Sequence, residues 1–438
     1  MEGRAAGTEV IVAVFATVYF GMLIGRLPRL ALDRTGIALL GAIALLASGA
    51  TTLARAGAAT DVPTLMLLFG LMVVSAQLRL GGFYARTAAA LASLAGSPAR
   101  LLAVLVGAVG ALSAVFSNDI VCLAMTPVLI EACARRRLDP VPFLLALAAA
   151  ANVGSAATLI GNPQNMLIGQ ALGLSFAGYL AQAAVPTVLG LFATWAIVAR
   201  QSRGRWEAAP AQLAAIAGAH GGEPIPGFDR WQTAKGLAVA AALLVAFVGW
   251  DGPREIAALA GAGALLLSRR MHSRATLGLV DWPLLVLFVG LFVVNDAFQR
   301  TGLPEQAVAA LRALGVDAHR PGWLFVAAAL LSNAVSNVPA VMLLLPLATH
   351  PLAGPVLALA STLAGNLLVV GSIANMIVVE AAARRGVAID WRRHARTGVP
   401  VTLATLAIAA AWLALAPLPP AAAPDPGPSF AAAPAPLD

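Results

Sequence analysis

Runs of roughly 18–20 apolar residues recur along almost the whole chain, and that is the length a helix needs to cross a hydrocarbon core. No soluble fold can bury so many. Only 11% of the 438 residues are charged, against about 25% in a soluble domain. The pattern predicts an all-α polytopic membrane protein with about ten transmembrane helices, near 8–25, 35–53, 62–78, 141–172, 176–199, 234–250, 254–268, 281–298, 355–382 and 397–416. The first run lacks a basic leader and a clear cleavage site, so it reads as a span and not as a signal peptide. The bilayer is the partner this composition demands. Cys122 and Cys133 form no metal or disulfide pattern, and the net charge of +8 calls for no nucleic acid.

Two further apolar segments, 98–134 and 321–349, carry polar residues at their middles. Each is expected to be a re-entrant helical hairpin that enters the membrane and returns. The expected organisation is a first repeat over 1–200, a linker over 201–233, a second repeat over 234–416 and a disordered Pro/Ala-rich tail over 417–438. The linker, above all 201–229, reads as exposed. Basic residues set the orientation. With both termini outside and both hairpins re-entrant, 22 of the 28 Lys/Arg fall on the cytoplasmic side, leaving Arg4, Arg55, Arg254, Arg300, Arg312 and Arg320 outside. Hairpins that crossed fully would scatter the basic loops to both faces.

The chain repeats itself. "DVPTLMLLFGLMVVSAQL" (61–78) and "DWPLLVLFVGLFVVNDAF" (281–298) agree at 8 of 18 positions. "SAVFSNDIVCLAMTP" (113–127) and "SNAVSNVPAVMLLLP" (332–346) share Ser, Ser, Asn and Pro at the same spacing, and "GNPQNM" (161–166) answers to "GSIANM" (371–376). Each half has five spans and a hairpin. Five is odd, so the second half enters the membrane inverted. Inverted repeats with polar breaks at matching positions mark a secondary transporter.

The breaks carry the chemistry. Irregular backbone at membrane depth survives only where it is buried in protein or lines a cavity. Pro163 removes a ladder bond and pushes Asn162 out of helical geometry, while Gly161 permits the turn. Asn162, Gln164 and Asn165 add amides that donate and accept. A broken helix exposes N–H groups that suit an anion and carbonyls that suit a cation. Four breaks, at Ser117–Asn118, Ser336–Asn337, Gly161–Asn165 and Gly371–Asn375, are expected to meet in one polar site near the midplane, with Thr158 and Ser372 beside them. Taken singly, a Gly-Pro pair is often a kink and an Ser-Asn pair is often helix glue. Four motifs in two related pairs weigh against that.

Asp119 is the one carboxylate placed deep in the membrane. There it is either an ion-coupling group or the N-cap of the second hairpin helix. Glu131 and Glu380 read as solvated, Asn295 and Asp296 as interfacial, and the arginine clusters as topology signals. Trp and Tyr take no role. The chain has no HExxH or GxSxG, and its five histidines (His220, His272, His319, His350, His394) fall in or near loops. An integral-membrane enzyme is therefore disfavoured, as is a channel.

"ANVGSAATLIGNPQNMLIG" (151–169) and "GNLLVVGSIANMIVVEAA" (365–382) resemble the paired motifs of the ion transporter superfamily. It includes citrate-transporter-like and divalent anion:sodium symporter permeases, arsenite-efflux permeases and sodium/proton antiporters. The resemblance covers nearly the whole chain. It implies a homodimer in a bacterial inner membrane that moves a small anion by elevator-type alternating access. It implies Na+ or H+ as the coupling ion and no other cofactor. Carried over, Ser117, Asn118, Ser336 and Asn337 match the hairpin tips, with sodium sites near Asn118 and Asn337. Gly161, Pro163 and Asn165 match the first interruption, and Gly371 and Asn375 the second. Asp119 and Val338 replace the tip threonines of the dicarboxylate symporters, and Ser372-Ile373-Ala374 lacks their prolines. Those departures resemble the arsenite-efflux branch, so arsenite/antimonite efflux or sodium/proton exchange stands as the alternative.

Overall fold

The computed structural model describes residues 2–25, 32–94, 96–219, 227–250 and 252–415. The tail at 417–438 and linker residues 220–226 lie outside the described residues. Among the described residues every regular element is helical, and the sole β contact is one isolated bridge, Leu138 to Glu207. Among the described residues, seven helices are long and apolar enough to cross a membrane.

The repeated Asp-x-Pro explains where the matched spans begin. Asp61 and Asp281 cap Val62–Leu80 and Trp282–Gln299, accepting from Thr64 N at 3.1 Å and Leu284 N at 3.0 Å. Pro63 and Pro283 sit in the first turn, where a missing N–H costs nothing. Each helix then packs on the other half of the chain. A Cβ on Gly70 would lie 2.7 Å from the backbone of Ala258, and one on Gly290 would lie 2.7 Å from the backbone of Ala38. Small residues let membrane helices approach this closely. Gly290→Leu should therefore force Trp282–Gln299 off Arg34–Ala47 and destabilise the protein by about 2–3 kcal/mol. A thermal melt of the purified variant that matched the parent would refute the crossing.

Both hairpins return to the end they leave. Pro98–Val115 and Asn118–Arg135 are joined by two residues, and beyond them the Arg136 guanidinium donates to Leu94 O at 3.2 Å and Gly96 O at 3.1 Å. The second hairpin pairs Pro321–Val335 with the shorter Asn337–Leu344, and Thr349 Oγ1 lies 3.3 Å from His319 Nδ1.

Several sequence boundaries change. The runs 141–172 and 355–382 are interrupted at the expected breaks, and each forms two half-helices with a longer irregular stretch between them, Pro140–Ser155 with Pro163–Ala171 and Ala353–Ala364 with Ile373–Ala383. Arg34–Ala47 and Arg254–Leu266 hold only 14 and 13 residues, short of a full crossing. Periodicity also missed short helices at Leu53–Ala59, Phe83–Ala92 and Leu303–Ala313. The start of the linker is docked and not simply exposed. Ala208 N donates to Arg137 O at 2.9 Å and Asp139 N to Trp206 O at 2.8 Å, and Pro210–Gly218 follows as a helix. His394, next to the loop before it, is buried in the first turn of Trp391–Leu415.

Candidate functional site: a polar cavity among four helix starts

Asn118, Asp119, Asn162, Pro163, Gln164, Ser336, Asn337 and Ser372 line one cavity of about 30 Å³, with Leu284, Val338 and Ile373. Each tip and each break thus delivers the N-terminus of a helix: Asn118–Arg135, Asn337–Leu344, Pro163–Ala171 and Ile373–Ala383. Three of the four starts, after Ser117, Ser336 and Ser372, have no side-chain cap. Their N–H groups and partial positive charges face a common space. At the fourth, Asn162 Oδ1 takes the Asn165 N–H at 2.9 Å.

Asp119 is the negative charge placed among these ends. It lies in the first turn of its helix, where Ser117 and not Asp119 holds the N-cap position, so the capping role does not apply. Its carboxylate makes no hydrogen bond or ion pair to another residue among the described residues. The buried amide oxygens of Asn118 and Asn337 likewise have no partner. Unmatched buried acceptors are costly unless something enters to satisfy them. The second tip is also strained. Ser336 has φ 78° and ψ 162°, a region kept almost entirely for glycine, at a cost of about 1–3 kcal/mol. Ser117 at the first tip has φ −53° and ψ 122°.

The breaks are held by a reciprocal clamp between the two halves of the chain. Asn152 Nδ2 donates to Asn375 Oδ1 at 3.1 Å and to Asn366 Oδ1 at 2.8 Å. Its Oδ1 accepts from Ser372 Oγ at 2.8 Å and from Asn118 Nδ2 at 3.2 Å, which fills all four positions of the amide. Thr362 does the same in reverse. Its hydroxyl accepts from Asn162 at 3.2 Å and Gln164 at 3.1 Å and donates to Asn165 Oδ1 at 3.3 Å. Asn152 and Thr362, Asn162 and Ser372, and Asn165 and Asn375 pair at the spacing set by the matched strings GNPQNM and GSIANM.

The remaining predicted residues lie around the cavity and not on it. Asn165 is buried, donating to Thr158 O at 3.0 Å and to the Tyr179 hydroxyl at 3.3 Å. Asn375 donates to Gly365 O at 2.8 Å and Leu368 O at 3.1 Å. Thr158 ties its break to Ala114 O of the first hairpin. Gly161 is there for close approach, since a Cβ would stand 2.2 Å from Ser155 O. Gly371 packs beside Asn333 and Gly365. Ser117 faces a separate small void with Ser75 and Phe116.

Sequence reasoning missed Asn152, Thr362, Asn366 and Tyr179. Asn152 and Asn366 stand inside the quoted motifs, Asn152 in the half-helix Pro140–Ser155 and Asn366 just past the end of Ala353–Ala364, and an asparagine in each otherwise largely apolar stretch was the available signal. Asn295 is buried and not interfacial. Its Oδ1 accepts from the Tyr19 hydroxyl at 2.8 Å, and that tyrosine also lies 3.4 Å from Pro339 O of the second hairpin. Asp296 pairs with Arg300, Glu131 with Arg385 at 3.1 Å, and Glu380 with Arg384 at 3.7 Å.

Broken helices that meet at polar tips inside an apolar bundle define, as a class, an integral-membrane transporter. The chain belongs to the citrate transporter family, whose family model matches residues 19–364. It is 29% identical to the 46 kDa membrane protein of Mycobacterium leprae, over 81% of this chain and 86% of that one. It is 30% identical to a silicon efflux transporter of Oryza sativa subsp. japonica, over 93% and 96% respectively. The crystal structure of the YdaH transporter of Alcanivorax borkumensis resembles it with a TM-score of 0.53 and 16% identity, over 93% of this chain and 97% of that one. That last likeness concerns the fold.

Proposed function

We propose that this protein is a secondary active transporter that moves a small anion by ion-coupled alternating access of the elevator type. The observation that carries the reading is the convergence of four helix starts and Asp119 on one cavity. The helix ends supply positive potential for an anion, and Asp119 with the free oxygens of Asn118 and Asn337 supplies acceptors for Na+ or a proton. The Asn152 and Thr362 clamps bind both breaks and the first tip into one unit, which suits a cargo body that moves as a block. We assign the protein to a bacterial inner membrane as a homodimer with both termini outside, on the distribution of Lys/Arg and the family likeness.

A second reading has its own support. The cavity has room for one or two waters or a bare cation, and a citrate-sized anion needs its walls to part. The rice relative is named for silicon efflux. Efflux of a small oxyacid of the arsenite or silicic acid kind fits the small volume and the fixed carboxylate.

Flux through proteoliposomes separates the two. Citrate, sulfate, phosphate, arsenite and silicic acid are offered under imposed sodium or proton gradients. Gradient-driven movement of an anion supports the first reading, and movement of an oxyacid alone supports the second. No gradient-driven flux of any solute would overturn both. In the active condition, Asn118→Ala and Asn337→Ala should each lower flux about tenfold, the equivalent of about 1.4 kcal/mol. Unchanged flux in both would show that the tips only pack.

A further inference from the structure

A second concavity lies away from the transport cavity, at the arginine-rich end of the molecule. Its volume is about 170 Å³, and it opens where the end of Phe176–Gln201 meets the starts of Pro140–Ser155 and Trp391–Leu415. Arg205, Arg393 and Arg396 converge on it from distant parts of the sequence, with Asp139, Gln201 and Thr397 between them. A general excess of arginine on one face needs only loops, and places no three guanidinium groups around one hollow.

The hydrogen-bond inventory leaves positive charge over. The Asp139 carboxylate is engaged at both oxygens: it accepts from Arg393 at 2.7 Å, from Gln212 Nε2 at 2.9 Å and from Val141 N at 3.0 Å. The Gln201 amide is engaged too, donating to Arg396 O at 2.8 Å and accepting from Thr397 Oγ1 at 2.8 Å. Arg205 donates to Gln201 O. The Arg396 guanidinium has no hydrogen bond or ion pair among the described residues. Three cations thus face one carboxylate, which already serves Arg393. Arg205 and Arg396 keep most of their donors and all of their charge.

Planar guanidinium forks match the oxygens of a phosphate group, and the hollow is large enough for one. It sits at the end of two long apolar helices, one of which begins at the exposed Trp391, over whose ring Arg392 stacks at 5.3 Å. An apolar span that ends at basic and aromatic residues has the pattern of a membrane–water interface. We propose that this hollow binds a phosphate group through Arg205 and Arg396, from an anionic phospholipid headgroup or a soluble phosphate. An occupant there bridges the start of the linker to the last helix, next to the Asp139–Arg393 pair that joins the two repeats. This site is independent of the transport reading.

The test uses the full-length protein in detergent, with thermal unfolding as readout. Inorganic phosphate and phosphatidylglycerol are added in separate arms, against chloride at equal ionic strength and phosphatidylcholine. At about ten times Kd the ligand should raise the apparent Tm by about one to two degrees. Arg205→Ser/Arg396→Ser should abolish that shift, and Arg205→Lys/Arg396→Lys, which keeps the charge, should restore part of it. A shift with phosphatidylglycerol alone assigns the headgroup as the source, and a shift with inorganic phosphate assigns the soluble ion. No shift in wild type, or an equal shift in the serine variant, overturns the proposal.

Discussion

Asn152→Ala should be among the most damaging single substitutions in this protein, although Asn152 does not touch the cavity. Its amide holds Asn118, Asn366, Ser372 and Asn375 at once, at 2.8–3.2 Å. Alanine strips these buried groups of a shared partner in a place where water competes poorly. An unsatisfied buried polar group costs about 1–3 kcal/mol, and a network loses more than one bond's worth. Partial rearrangement among the partners brings the expected loss to about 2–4 kcal/mol. Thr362→Val should produce a smaller version of the same defect, since it frees Asn162, Gln164 and Asn165. Unfolding of both purified variants gives the check. An Asn152→Ala melt within a degree of wild type would show that the clamp carries no stability.

Asp119→Asn should have the largest effect on transport itself. The carboxylate lies among four helix starts with no hydrogen-bonded partner, and Ser117 already occupies the N-cap. Asparagine keeps the shape and can still accept a hydrogen bond, so the fold should persist. It cannot release a proton or neutralise a cation. Solute flux driven by a sodium or proton gradient should fall at least about a hundredfold, while binding measured without a gradient survives. That fall corresponds to about 2.8 kcal/mol, of the order expected for removing a charged group that binds the coupling ion. Flux with unchanged dependence on both gradients would move the coupling ion to the free oxygens of Asn118 and Asn337.

Which parts of this arrangement are visible in the sequence follows from the range of the forces involved. The tips and breaks are local events. Pro163 and Gly161 disrupt a helix wherever they stand, so their positions can be read directly. The repeat shows in matched strings such as Asp61-Val62-Pro63 and Asp281-Trp282-Pro283, because caps are also local. The clamps are not. Asn152 in Pro140–Ser155 resembles any polar residue gluing two helices, and only folding brings Ser372 and Asn375 to it across more than two hundred residues. Asn295 misled for the same reason: a polar residue near a span end suggests an interface, but Tyr19, from the first helix, buries and satisfies it. Hydropathy could not distinguish Arg34–Ala47 or Arg254–Leu266 from longer spans, because the residues that follow, Ser48-Gly49-Ala50-Thr51-Thr52 and Leu267-Ser268, carry no charge to mark the point where the helix ends.

Access to the cavity from both faces is the most direct test of a transport role for the four converging helix starts. Val338 lines the cavity, is buried, and makes no side-chain hydrogen bond that cysteine would break. In a background with Cys122 and Cys133 replaced, Val338→Cys is exposed to a membrane-impermeant thiol reagent in right-side-out and in inside-out vesicles. Alternating access predicts labelling in both, slowed by the transported solute or its coupling ion. Labelling in one vesicle orientation only, under every solute and gradient condition, would contradict it.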